Sequence, residues 1–190
     1  VATVSGNMIH INGTGNVIIT ASQAGNENYY PAPDIQQGLI VVKAEQYISF
    51  SPPGAHTFGD PDLNPAATAS SGLSVVYNSN NSDVAVISGN AIRVVGVGSA
   101  DITASQPGDH NYNPAPDVTQ TLIINKADQV ITFPAIAPVV YGVASFSAGA
   151  SSTSGLTVTY SSDNTSVAEV TDGKIYIRSA GNSNIIASQA

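Results

Sequence analysis

Along this chain, short runs in which apolar and polar residues alternate, rich in Val, Ile, Thr and Tyr, are separated by clusters of Gly, Asn, Ser, Asp and Pro. Alternation puts successive side chains on opposite faces of an extended strand, and turn-forming clusters at regular spacing mark an antiparallel, all-β fold. No stretch carries helical periodicity. Between residues 43 and 125 the pattern predicts strands near 46–50, 65–70, 73–79, 84–87, 91–95, 99–105 and 118–125, enough for one small sandwich.

The alternation also assigns faces. Ile92 and Val94 are expected on one side of their strand with Arg93 opposite, and Ala100, Ile102 and Ala104 inward with Asp101 and Thr103 toward water. Leu122 and Ile124 should close the same core, and Phe50, Tyr77 and their counterparts Phe133 and Tyr160 supply its aromatic volume. Truncating Phe50 to Ala is therefore expected to cost about 3–5 kcal/mol. Ser88, Gly89 and Asn90 read as a tight hairpin needing positive φ. The proline-bearing stretch PGDHNYNPAPD after Gln106 reads as a stiff surface loop, with the rings of Tyr112 and Tyr29 expected to pack back onto the sandwich.

Self-similarity organises all of this. KAEQYISF at 43–50 returns as KADQVITF at 126–133, an offset of 83 residues. The same offset relates SSGLSVVY at 70–77 to TSGLTVTY at 153–160, VAVISGNAI at 84–92 to VATVSGNMI at 1–9, and NYNPAPDVTQTLII at 111–124 to NYYPAPDIQQGLIV at 28–41. ITASQ at 102–106 likewise matches ITASQ at 19–23 and IIASQ at 185–189, all without insertion or deletion. The expected organisation is the back part of one repeat at 1–42, a complete repeat at 43–125 and the front part of the next at 126–190. A chain that starts and stops inside a repeat reads as a window on a longer array.

The series KADQVITF, SSGL, VTYSSDN, SVAEV, GVGSADITASQ and NYNPAPDVTQTLIINKA resembles the bacterial immunoglobulin-like tandem repeats, of the BIg/MBG type, of giant cell-surface adhesins and gliding-motility-type surface proteins. That resemblance covers essentially the whole chain. It implies an immunoglobulin-like sandwich, an extracellular place on the cell surface or in a secreted filament, and roles in adhesion, surface motility or filament formation. One departure limits any role for an acidic site: Gly59 and Asp60 become Gly142 and Val143 one period on.

Charge narrows the partners. Five Lys plus Arg against 13 Asp plus Glu give a formal charge of -8, so no basic face is available for nucleic acid or for an anionic membrane surface. Apolar runs such as LIVV at 39–42 are far shorter than the roughly 20 residues that span a bilayer as a helix, so direct membrane insertion is not expected. The absence of cysteine excludes disulfides, thiolate metal sites and a cysteine nucleophile. Any export signal is expected to lie outside this segment, because Val1 begins in mid-pattern.

Catalytic chemistry finds little support in the residues. His10, His56 and His110 correspond one period away to Arg93, Val139 and Glu27, so surface histidine is the reading for each. GVGSAD at 96–101 and GTGNVI at 13–18 lack the Lys-Ser/Thr and the following helix of a phosphate loop and read as turns. The glycan-acceptor strings NGT at 12–14, NNS at 80–82 and NTS at 164–166 lie in Asn-rich turns where such matches arise by chance. No enzyme activity, catalytic residue or cofactor is therefore expected. Calcium is the one ligand candidate, at Asp60 and Asp62 or near the junctions at Asp34, Asp117 and Asp128, although the change of Asp60 to Val143 and of Asp62 to Ser145 argues against a repeated cage.

The expected function is a structural spacer or stalk that extends and presents distal binding parts, its partners being neighbouring repeats of the same or another copy of the chain. A strand of about seven residues spans ~23 Å, so each sandwich should add roughly 30–40 Å to the array. Two alternatives stand beside it. One is a module binding a surface glycan or protein through the loops at 106–117 or 54–64. The other is a filament subunit whose partial repeats are completed by strand addition between chains.

Overall fold

A computed structural model describes residues 1–189 of the chain, all but Ala190. The described residues form an all-β structure without helix, in two compact units, one from Val1 to Lys126 and one from Ala127 onward.

In the first unit the strands are β1 (Ala2–Ser5), β2 (Met8–Ile11), β3 (Gly15–Gln23), β4 (Ala32–Val41), β5 (Ile48–Ser49), β6 (Ala55–Thr57), β7 (Thr68–Ala69), β8 (Val76–Ser79), β9 (Ala85–Ser88), β10 (Ala91–Val94), β11 (Gly98–Ser105) and β12 (Val118–Asn125). From residue 43 onward one four-stranded sheet runs β6-β12-β11-β8, accompanied by the pairs β5·β7 and β9·β10 and by a bridge from Leu63 to Ile92. One apolar cluster draws on nearly all of them: Ile48 and Phe50, Ala69, Ala85, Ile92, Ala100, Ile102 and Ala104, Leu122 and Ile124. Ile92, Ile102 and Leu122 are completely buried, so the layers close on one another in a β-sandwich-like body. β1 pairs with β2 and β3 with β4, the latter from Gly15↔Val41 through Gln23↔Ala32 with an irregularity near Ala21.

The second unit holds β13 (Ile131–Thr132), β14 (Phe146–Ser147), β15 (Ser151–Ser152), β16 (Thr159–Ser162), β17 (Ala168–Thr171), β18 (Lys174–Ile177) and β19 (Ile185–Ser188). Its pairs are β13·β15, β14·β18·β17 and β16·β19, around a small core of Ala148, Ala168 and Ile175 flanked by Phe133, Phe146, Tyr160 and Ile185.

Each strand expected between 43 and 125 forms, several of them shorter than the apolar pattern suggests. The exception in kind is β6, which the pattern did not mark. Ala55–Thr57 follows two prolines and a glycine, shows no alternation, and is strand only because it lies parallel to Ile123–Asn125. Ala100, Ile102, Ala104, Leu122 and Ile124 point inward as their alternation demands. Asp101 and Thr103 are half-buried rather than in open water, because each hydrogen-bonds a neighbouring strand through its side chain.

The aromatic positions form one device used twice. Phe50 meets Tyr77 edge-on with ring centroids 5.9 Å apart, and Phe133 meets Tyr160 in the same way at 6.0 Å. The hydroxyl of Tyr77 accepts the amide of Ala67 at 3.0 Å, and that of Tyr160 accepts the amide of Ala150 at 2.9 Å. Tyr29 departs from expectation, its side chain largely exposed at 75%. Tyr112 is half-buried, and its backbone bridges to Ala44.

The hairpins keep their place while the turn chemistry shifts. Gly89 has φ of 61° and Gly6 of 59°, whereas at the third hairpin both Asp172 (51°) and Gly173 (72°) take positive φ. Moving the glycine by one position thus converts a turn with one left-handed residue into one with two, and both geometries suit the twist of a two-residue hairpin.

Candidate functional site: a polar clasp at the 43–46 connector

The densest set of long-range polar contacts surrounds the segment that leads into residues 43–125. Gln46 and Gln106 are the two buried polar side chains of the described residues, 4% and 5% exposed. The Gln46 amide donates to the Gln106 side-chain oxygen at 2.6 Å and to the Asn113 carbonyl at 2.7 Å, while its own oxygen accepts the Ser71 hydroxyl at 2.5 Å. The Gln106 side-chain oxygen also accepts the Gly108 amide, at 2.5 Å. A buried amide without partners would be costly, so these two glutamines hold each other's geometry.

The loop after Gln106 closes on itself and on the connector. The Asp109 carboxylate accepts the amides of Asn111 (2.7 Å) and Tyr112 (2.9 Å). Gly108 allows this turn: at φ of 77°, a Cβ there would stand 2.4 Å from the Tyr112 carbonyl oxygen. The Ala44 amide then donates to the Asn111 carbonyl at 2.8 Å, and the Asn113 amide to the Ala44 carbonyl at 2.9 Å. Lys43 Nζ reaches the Asp109 carbonyl at 2.5 Å, and the Asn113 side-chain amide the Glu45 carboxylate at 2.7 Å.

The same loop reaches residues before the connector. The Thr14 amide donates to Asn111 Oδ1 at 3.0 Å and the Thr14 hydroxyl to the His110 carbonyl at 2.6 Å, joining segments nearly a hundred residues apart. Gly13 admits this approach, since a Cβ there would lie 3.1 Å from Asn111 Oδ1. His110 thus contributes its backbone to the contact.

The glutamines were missed in the alternation because a polar residue within a strand reads as solvent-facing. Their recurrence was the available signal. Gln46 is matched by Gln129, and Gln106 by Gln23 and Gln189. Gln129 accepts the Ser154 hydroxyl at 2.6 Å as Gln46 accepts that of Ser71, and Gln23 accepts the Gly25 amide at 2.7 Å as Gln106 accepts that of Gly108.

The calcium candidates are scattered. Asp60 caps its own turn by accepting the Thr57 amide at 2.9 Å and stands 3.5 Å from the His56 ring. Asp34, Asp62, Asp117 and Asp128 are exposed at separate places in the chain. Among the described residues no three His, Cys, Asp or Glu side chains stand together as a metal-holding group. His10 lies on exposed β2, away from His56 and His110 in sequence and pairing.

A second recurring contact involves a carboxylate. Asn80 and Asp101 face each other, the Asn80 side-chain amide donating to Asp101 Oδ2 at 3.1 Å and the Asp101 amide to Asn80 Oδ1 at 2.8 Å. In the second unit the partners trade identities: Asn184 donates to Asp163 from its backbone and its side chain, both at 2.7 Å. The Asn184 side-chain bond, then its backbone bond, holds the Asp163 carboxyl below its ordinary value of 3.8. What this set of contacts can do chemically is fix segments relative to one another, through side-chain amides, backbone groups and a few carboxylates and one ammonium. Neither a protein-family model nor a curated protein matches the chain.

Proposed function

We propose that this chain is built from immunoglobulin-like sandwich repeats with a period of 83 residues and serves as a non-enzymatic, extracellular structural spacer of a bacterial surface protein. The reading is supported by strand pairing that recurs at the sequence offset. Ile48↔Ala69 returns as Ile131↔Ser152, Tyr77↔Ala104 as Tyr160↔Ala187, and Leu122↔Ala100 as Leu39↔Val17. The observation that carries the mechanical part is the clasp, in which Thr14, the connector and the loop at His110–Asn113 are held by direct hydrogen bonds. A spacer needs such a joint, because an array gains reach only if successive bodies do not hinge freely. The loop at 106–117, a candidate recognition surface, turns the side chains of Gln106, Asn111 and Asn113 to this joint, which favours the spacer over a binding module.

Single-molecule pulling on the chain tests the proposal. Residues 43–125 should rupture in one step, releasing a segment whose full extension is roughly 270–300 Å less the folded end-to-end distance. Gradual lengthening at low force would contradict a load-bearing repeat.

A further inference from the structure

The segment that enters the complete repeat, residues 43–58, runs beside the segment that leaves it, residues 112–125, and in the same direction. At the start, Ala44 bridges in parallel to Tyr112, the Asn113 amide donates to the Ala44 carbonyl at 2.9 Å, and the Gln46 side-chain amide reaches the Asn113 carbonyl at 2.7 Å. In the middle, the Gln120 side-chain amide donates to the Phe50 carbonyl at 2.9 Å. At the end, β6 lies parallel to β12 through Ala55↔Ile123, His56↔Ile124 and Thr57↔Asn125, and the Phe58 amide donates to the Asn125 carbonyl at 2.9 Å. The spacing along the chain that separates Ala44 from Tyr112 also separates Ala55 from Ile123, so one register is kept from the connector to the exit.

The far end of this lap is pinned locally. The Asp60 amide closes a turn on the Thr57 carbonyl at 3.0 Å, with Gly59 at φ of 96°, and the Asp60 carboxylate accepts the Thr57 amide at 2.9 Å. The His56 ring nitrogen Nε2 meets the Pro53 carbonyl at 2.9 Å. One period on, His56 and Asp60 become Val139 and Val143, yet the turn persists, with the Val143 amide on the Val140 carbonyl at 3.2 Å. The turn that ends β6 is therefore the repeated feature, and the side-chain pins belong to this copy.

Direction decides what such a pair does under tension. Tension along an array pulls Lys43 backward and Lys126 forward, so two parallel segments tied at entry and exit slide past each other only if their hydrogen bonds break together. Peeled from one end, the same bonds open one after another. We infer that the parallel lap between residues 43–58 and 112–125 sets how long the repeat withstands tension, an inference that rests on the spacer reading and names the part that carries the force.

Force spectroscopy on the 190-residue chain is the test, and because the chain lacks cysteine, introduced cysteine pairs give unique handles. Val42→Cys with Lys126→Cys, both at exposed positions, pulls the lap along its length, whereas Phe58→Cys with Lys126→Cys peels the same segments apart from the exit end. The first pair should need about twice the rupture force of the second at equal pulling speed. Phe58→Pro then removes one bond of the lap. Proline is favoured at the second position of this turn, so the amide that reaches Asn125 is what the substitution deletes. Between the first handles it should shorten the lifetime at constant force about fivefold. Ile87→Val, in the β9·β10 hairpin outside the lap, should lower the urea midpoint yet leave that lifetime within about twofold of the parent. Equal rupture forces from the two handle pairs, or a lifetime indifferent to Phe58→Pro, would overturn the inference while single-step opening still upheld the spacer. Gradual lengthening at low force from both pairs would remove the spacer and the lap together.

Discussion

At the scale of single residues, the reciprocal Asn80/Asp101 and Asp163/Asn184 pairs show that the interaction, rather than either side chain, is what both units keep. One amide and one carboxylate facing each other satisfy both; two carboxylates would repel. Asn80→Asp alone should therefore destabilise the first unit by about 1 kcal/mol. Adding Asp101→Asn should restore stability to within about 0.5 kcal/mol of the parent, as urea unfolding of the four-member cycle would report. The lowered Asp163 carboxyl carries a pH consequence. Folding favours its ionised form, so its contribution is fully present above the ordinary value of 3.8 and is lost as pH falls through the lower folded value. In Asn184→Ala the Asp163 titration, followed by carboxyl NMR shifts, should move back up toward 3.8.

Elements were legible where burial and alternation agree and illegible where tertiary pairing decides. β11 and β12 could be placed almost to the residue because Ala100, Ile102, Ala104, Leu122 and Ile124 alternate onto one buried face. β6 could not, since its three residues become strand only by contact with β12. The clasp escaped for a related reason: whether a glutamine is buried depends on what covers it. Gln46→Leu should destabilise the first unit by about 1–3 kcal/mol, because the Ser71 hydroxyl, the Gln106 oxygen and the Asn113 carbonyl each lose a partner. Thermal unfolding would show the loss. A change in the other direction is available at Ala66, whose φ of 51° is matched one period on by Gly149 at 75°. Ala66→Gly should relieve left-handed strain of about 1 kcal/mol and raise the midpoint.

For the whole molecule, the proposed spacer rests on the polar contact that ties Thr14, the 43–46 connector and the loop at His110–Asn113 together within the first unit. The internal repeat was the most informative feature of the sequence, because an offset free of insertions aligns strands, turns, the Phe-Tyr pair and the glutamines together. The joint itself was not legible: Thr14, His110 and Asn111 carry no motif and meet only once the loop after Gln106 has folded over the connector. The most direct measurement is urea unfolding of residues 43–125 expressed alone, followed by the fluorescence of its tyrosines (Tyr47, Tyr77 and Tyr112) and by far-ultraviolet circular dichroism. The account predicts one cooperative transition that coincides by both probes, lost or shifted well toward lower urea in Phe50→Ala. A segment unfolded in buffer, or one that melts gradually with the two probes disagreeing, would contradict it.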